Sequence, residues 1–247
     1  MKNKVCLVLD VSSRKEAMDL VRPLHDLTGM FKVGMQLFTA EGPSLVREII
    51  EVGGKVFLDL KFHDIPNTVK HAAVEAARLG VSMMTIHASG GRAMMQAVSE
   101  ELRGRFGGDR PLVVGVTVLT SLDESGLQEV GVDSGVETQA LRMAKLAESS
   151  GLDGVVCSPR EIRKIRGIVG SNFKIVSPGI RMPGQAADDQ QRTASPGEAI
   201  AAGADYIVVG RAVTNATDPR AALESVVQTL QFPHPPFGHP LPEGEGG

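Results

Sequence analysis

The chain has 247 residues, 42% of them hydrophobic, with 28 glycines and a formal net charge of −3. This is ordinary globular material, and with no Pro/Ser linker in the middle it suits one large domain better than two small ones. The basic side chains are scattered or stand beside acids, so the basic stripe of a nucleic-acid binder is absent, while a small anion gripped locally stays open.

The first apolar run, Val5–Leu9, is ended by Asp10. It is too short for a signal-peptide core or a membrane span, so the expectation is a soluble, cytoplasmic protein with no membrane partner. Further short apolar runs follow at Met30–Val33, Lys55–Leu60, Ser82–Ile86, Leu112–Val116, Gly154–Cys157, Lys174–Val176 and Tyr206–Val209. Each is predicted to be a strand, and several are continuously apolar, as strands covered on both faces are. Cys6 and Cys157 lie inside two of these runs and read as buried, inert thiols.

Helical patterns fill the intervals, and their starts carry readable caps. Ser13 with Glu16, Ser158 with Glu161 and Ser195 with Glu198 fit the capping box. Pro159 and Pro196 follow the last two serines, at the first helical position, where a missing N–H costs nothing. Asp218-Pro219 opens the final helix in the same way. Eight strand–helix alternations predict an α/β fold with a parallel sheet. Right-handed crossovers can close it into a (β/α)₈ TIM barrel, for which about 250 residues is typical; a doubly wound open sheet is the alternative. Two connections are long, Thr120 to Gly135 and Arg181 to Gln191, and long loops after barrel strands tend to be functional. The division expected is a barrel over 1–231 and a flexible Pro/Gly-rich tail over 232–247. The tail histidines, His234 and His239, lack the converging ligands of a metal site.

Barrel enzymes place their chemistry at the C-terminal ends of the strands. Those ends give Asp10, Lys32, Asp59 with Lys61, His87, Thr117 to Thr120, Ser158, Pro178 to Arg181, and Gly210-Arg211. Asp59 and Lys61 stand two apart on a strand and so should point to the same side, as an ion pair at the barrel mouth, with Asp64 in the loop beyond. A structural salt bridge plugging the barrel is the plainer reading. Carboxylate neighbours favour the charged form of an amine, which suits Lys61 to stabilising a developing anion and delivering a proton rather than to Schiff-base chemistry. Ser177-Pro178-Gly179-Ile180-Arg181 and Gly210-Arg211 follow strands seven and eight, whose loops often form a phosphate site. Arg181 and Arg211 offer forked donors to phosphate oxygens; two surface arginines is the plainer reading. His87 reads as a hydrogen-bonded structural histidine, His63 as a packing or interface residue, and Met83, Met84, Met94 and Met95 as core fillers.

Taken together, these motifs resemble the orotidine 5′-phosphate decarboxylase family, from Val8-Leu9-Asp10 to Gly210-Arg211. The most specific piece is Asp59-x-Lys61-x-x-Asp64 running into Ile65-Pro66-Asn67-Thr68, joined by Lys32-Val33-Gly34 and Pro178-Gly179-Ile180-Arg181. The resemblance implies decarboxylation of orotidine 5′-phosphate to UMP, the final step of de novo pyrimidine synthesis, without a cofactor or metal. It makes Lys61 the proton donor to C6, places Asp59 near the substrate carboxylate, and has Lys32 and Asp64 complete an alternating charged array. Asp64, Ile65 and Thr68 would reach across the interface of a homodimer with shared active sites. Asp10 and Lys32 would hold the ribose, Thr120 with Ser121 the pyrimidine, and Arg181, Gln190, Gly210 and Arg211 the phosphate. The glycine-rich dinucleotide and P-loop spacings are absent, so no motif offers an electron sink. The rival readings are a magnesium-dependent sugar-phosphate lyase or decarboxylase, a non-catalytic nucleotide-binding barrel and a phosphosugar isomerase.

Overall fold

The computed structural model describes residues 1–181 and 193–230. Eight strands, β1 (Val5–Val8), β2 (Met30–Gly34), β3 (Val56–Phe62), β4 (Met83–His87), β5 (Leu112–Val116), β6 (Gly154–Val156), β7 (Lys174–Ser177) and β8 (Tyr206–Val209), pair in sequence order. All neighbours are parallel, and β8 returns to β1, closing the barrel. The open-sheet alternative is thereby excluded, and all eight expected strands are present to within one or two residues.

The helices are α1 (Arg14–Leu24), α2 (Met35–Glu51), α3 (Pro66–Arg78), α4 (Gly91–Phe106), α5 (Glu124–Glu129), α6 (Val136–Ser149), α7 (Ile162–Arg166), α8 (Pro196–Ala202), α9 (Arg211–Thr214) and α10 (Pro219–Thr229). None among the described residues is long and apolar enough to cross a membrane. Helix α3 shows how the pattern works. Pro66 opens it, and Val69, Ala73, Val74, Ala76 and Ala77 are buried along one face, a 3.6-residue stripe pressed on the barrel.

The capping boxes form at Ser158/Glu161 and Ser195/Glu198. At Ser13 only half of one forms. Its hydroxyl accepts from Glu16 N, but the Glu16 carboxylate accepts from Ser12 N instead of Ser13 N. Asp218 caps α10 by accepting from Ala221 N. The long connection from Thr120 to Gly135 contains α5, capped by Asp123. The expected tail and most of the other long connection lie outside the described residues.

Strand alternation divides the apolar side chains into two shells. Leu7, Phe31, Val33, Leu58, Met84, Ile86, Val113, Ile175 and Ile207 join the buried faces of the helices. Cys6, Met30, Phe57, Met83, Val114, Val176 and Val208 pack with one another inside the barrel. A fully buried side chain as large as Phe31 or Phe57 contributes about 1.5–3 kcal/mol. Both cysteines are free and buried, burial raising the Cys6 thiol to about 12. Met83, Met84, Met94 and Met95 are wholly buried, as core fillers should be. The inner shell is an apolar floor, and the next inward-facing positions above it are polar.

Candidate active site

Those polar positions begin with Asp59, two residues past the floor residue Phe57 on β3. The register sets Lys32 beside Phe57 and Gly34 beside Asp59, so the Lys32 side chain reaches upward to the carboxylate. Asp59 is only 7% exposed, and a carboxylate so buried needs partners. It has three. Lys32 Nζ donates to Oδ2 at 2.8 Å, Lys61 Nζ donates to Oδ1 at 2.9 Å, and Thr85 Oγ1 donates to Oδ1 at 3.0 Å. Burial alone would push the carboxyl up. The positive charges of Lys32 and Lys61 outweigh it and hold Asp59 below the usual carboxylate range.

Simple alternation is not what brings Lys61 to Asp59. The β3–β4 ladder slips between Leu58 and Phe62, and Lys61 lies in that irregularity with φ 51°. Among the described residues it is the one non-glycine with positive φ, a conformation costing about 1–3 kcal/mol. Sequence spacing predicted the ion pair but not the bulge that makes it. Thr85, which no motif marked, accepts from Lys61 N at 2.8 Å. The available signal was its place in Met83-Met84-Thr85-Ile86-His87, a polar residue at an inward position of an apolar strand.

The cluster stands in a cavity of about 300 Å³, within the range of small-molecule sites. Eight of the predicted residues line it: Asp10, Lys32, Asp59, Lys61, Thr120, Arg181, Gly210 and Arg211. Phe57, Val156 and Val208 supply apolar wall that the motifs did not mark. Gly179 adopts φ 80° at the start of the β7 loop, which a side chain would resist. Gly179 and Arg181 then exchange backbone hydrogen bonds with Ala194, which pins the loop at its base. Arg181 and Arg211 thus line the same cavity as the Lys32–Asp59–Lys61 cluster, which stands just above the apolar floor.

Three predicted residues do not line this chain's cavity. Asp64, Ile65 and Thr68 lie in a run that is exposed from His63 to Thr68. The Asp64 carboxylate accepts from Ile65 N at 2.7 Å, so it does not stand beside Lys61 of the same chain as the spacing suggested, and Ile65 is 67% exposed. Gln190 lies outside the described residues. Ser121 is exposed beside Thr120. His87 ends β4 half-buried, its ring centroid 5.2 Å from that of His63; among the described residues its side chain makes no hydrogen bond of the kind expected. Burial first, then the charges of His63 and Lys61, lower its pKa.

The family model for orotidine 5′-phosphate decarboxylase / HUMPS matches residues 3–226. The chain belongs to this family. Orotidine 5′-phosphate decarboxylase of Syntrophotalea carbinolica is 52% identical over 232 residues, covering 93% of this chain and 95% of the relative. The enzyme of the same name from Geobacter sulfurreducens is 50% identical over 230 residues, covering 93% and 96%. In three dimensions, the crystal structure of orotidine 5′-phosphate decarboxylase from Lactobacillus acidophilus matches with a TM-score of 0.81 at 37% identity, covering 92% of this chain and 98% of that one. In this orotidine 5′-phosphate decarboxylase family member, the Asp59–Lys61 pair, Arg181 and Arg211 line a single cavity.

Proposed function

We propose that this chain decarboxylates orotidine 5′-phosphate to UMP and CO₂, a step of pyrimidine biosynthesis, in the cytoplasm and without a cofactor. The observation that carries the reading is the pairing, in one cavity, of a lysine–aspartate–lysine cluster with two arginines that follow β7 and β8. The curated relatives named for this reaction supply the substrate.

Breaking the bond from C6 to the carboxylate releases CO₂ and leaves an electron pair at C6, in the plane of the ring. The ring's π system cannot delocalise that pair, so stabilisation must come from a fixed positive charge. Lys61 provides it, held at 2.9 Å from Asp59. Its ammonium lies close to the developing carbanion and then gives C6 a proton, after which water restores the lysine's proton. Asp59 faces the departing carboxylate and fixes both lysines. Asp10 and Lys32 hold the ribose hydroxyls, and Thr120 sits by the pyrimidine. Arg181, Gly210 and Arg211, with Gln190 from the adjoining loop, grip the phosphate, whose binding helps to order a site remote from it.

Asp64, Ile65 and Thr68 act across a homodimer, Asp64 completing the charge alternation beside the partner's lysine. Their exposure in this chain supports that assignment, Ile65 above all. Purified protein mixed with orotidine 5′-phosphate in EDTA tests the reading. Rapid loss of the orotate ultraviolet band with formation of UMP is expected. A folded protein that is inert in EDTA and becomes active with magnesium on a sugar phosphate would overturn it.

A further inference from the structure

We propose that Thr85 is a positioning residue of this site, its hydroxyl clamping the Lys61 backbone and the Asp59 carboxylate into one geometry before substrate arrives. The proposal rests on the reading that Lys61 and Asp59 carry the chemistry. Thr85 is wholly buried and is not part of the cavity wall, so it acts through other residues and not on substrate.

Its two hydrogen bonds are mutually determining. A hydroxyl has one proton to give. Because Thr85 Oγ1 accepts from Lys61 N at 2.8 Å, that proton is free for Asp59 Oδ1 at 3.0 Å. Both bonds cross from β4 to β3 where the ladder between the two strands slips. A buried backbone N–H needs an acceptor, and here the hydroxyl supplies what the interrupted ladder does not. It thereby secures Lys61 in its left-handed conformation at φ 51°. The same oxygen of Asp59 takes the Lys61 ammonium at 2.9 Å. Thr85 therefore holds Lys61 at both ends, directly by its backbone and through Asp59 by its side chain. Positioning of a reacting group to within a fraction of an ångström governs the chemical step more than binding.

The Thr85→Val variant keeps the shape and removes the hydroxyl, whereas Thr85→Ser keeps the hydroxyl. With the full chain and orotidine 5′-phosphate, Thr85→Val is expected to lose about 10- to 100-fold in kcat. KM and the calorimetric affinity for UMP should each change by less than about threefold, since the groups that hold ribose and phosphate are untouched. Thr85→Ser is expected to stay within about threefold of the parent in kcat. Thr85→Ala, compared with Thr85→Ser, gives the same contrast should the valine variant not fold. A hydroxyl-free variant with the parent's kcat, or a serine variant as slow as the hydroxyl-free one, overturns the inference while the parent's activity upholds the decarboxylase reading. A parent that does not decarboxylate overturns both.

Discussion

Asp153 and Asp205 stand one residue before β6 and β8, at the N-terminal end of the barrel, whereas Asp59 stands inside β3 near the C-terminal mouth. The Asp153 carboxylate takes a two-pronged bond from Arg110, at 2.6 Å to each oxygen, and a third from Val113 N at 2.8 Å. Asp205 accepts from Arg166 Nη2 at 2.5 Å and from Ile175 N at 2.9 Å, while the same guanidinium also donates to the carbonyls of Phe173 and Gly203. These are clasps, in which a rigid fork is matched to fixed acceptors and the strand ends are tied together. Asp59 is bound instead by two lysine ammoniums. Among the described residues each commits one of its three donors to the carboxylate, and both line the cavity. Similar charges thus make a closed fastening at one end and a site with donors left for a ligand at the other. Arginine suits the first because its geometry is fixed, and lysine the second because it is a compact charge that can give up a proton.

The sharpest way to break this contrast is to remove Lys61. In the Lys61→Ala variant kcat is expected to fall by at least about 10⁴-fold, equivalent to about 5.4 kcal/mol of transition-state stabilisation. Stability should hardly change, because Asp59 keeps Lys32 and Thr85. A thermal midpoint several degrees lower alongside a modest loss of kcat would make Lys61 a clasp like those at the other end. Arg211→Ala comes next. It should raise KM about 10- to 100-fold, since a charge-assisted hydrogen bond to phosphate is worth about 1.5–3 kcal/mol, with a smaller effect on kcat. Steady-state kinetics of the two variants side by side reads the division of labour, and equal, small losses in kcat/KM for both would contradict it.

Removing a clasp should do the reverse. Asp153→Ala leaves Arg110 without its carboxylate and Val113 N without an acceptor, in a place where both ion-pair side chains are under one-fifth exposed. The expected cost is about 2–3 kcal/mol, or about 5–10 °C in Tm for a domain of this size, with kcat/KM at 25 °C within about twofold of the parent. Calorimetry and one progress curve are enough to check it. An Asp153 variant as stable as the parent but catalytically impaired would erase the distinction between the two ends.

The same distinction governs what could be read in advance. The eight strands announced themselves through apolar runs, and the mouth residues through polar residues ending those runs, because in a closed parallel barrel every strand end faces the same way. The Asp59–Lys61 pair was legible from its spacing. Its bulge was not, since the slip depends on how β4 pairs, a long-range fact that local sequence does not carry. Thr85 was missed for the same reason, its meaning lying in a contact 24 and 26 residues away. The clasps were equally silent: Arg110 and Asp153 are 43 residues apart, and each alone looks like a surface charge. Ile65 and Thr68, and the place of Asp64 across an interface, were marked by resemblance alone, because that reading concerns a second chain.

His87 offers the smallest test and adds a titratable group to the mouth. It is half-buried, with Asp59 favouring its charged form but burial, His63 and Lys61 together prevailing, so that its pKa lies below the ordinary 6.5. The unfolded chain then binds this proton more readily than the folded one. Above pH 6.5 neither state is protonated and the histidine contributes no pH dependence. As the pH falls from 6.5 through the lowered folded value, stability declines by this group's share. Asp59 adds its own dependence elsewhere: its folded pKa is depressed from 3.8, so the stability it confers is present above that value and is lost only as the pH falls through the lower one. The two windows therefore separate. Urea midpoints of the parent and His87→Gln at pH 8, 6.5 and 5 should run parallel from 8 to 6.5, and the parent should lose more between 6.5 and 5. If the parent's excess loss instead lies above pH 6.5, or does not occur, burial and the charges of His63 and Lys61 do not hold this histidine neutral.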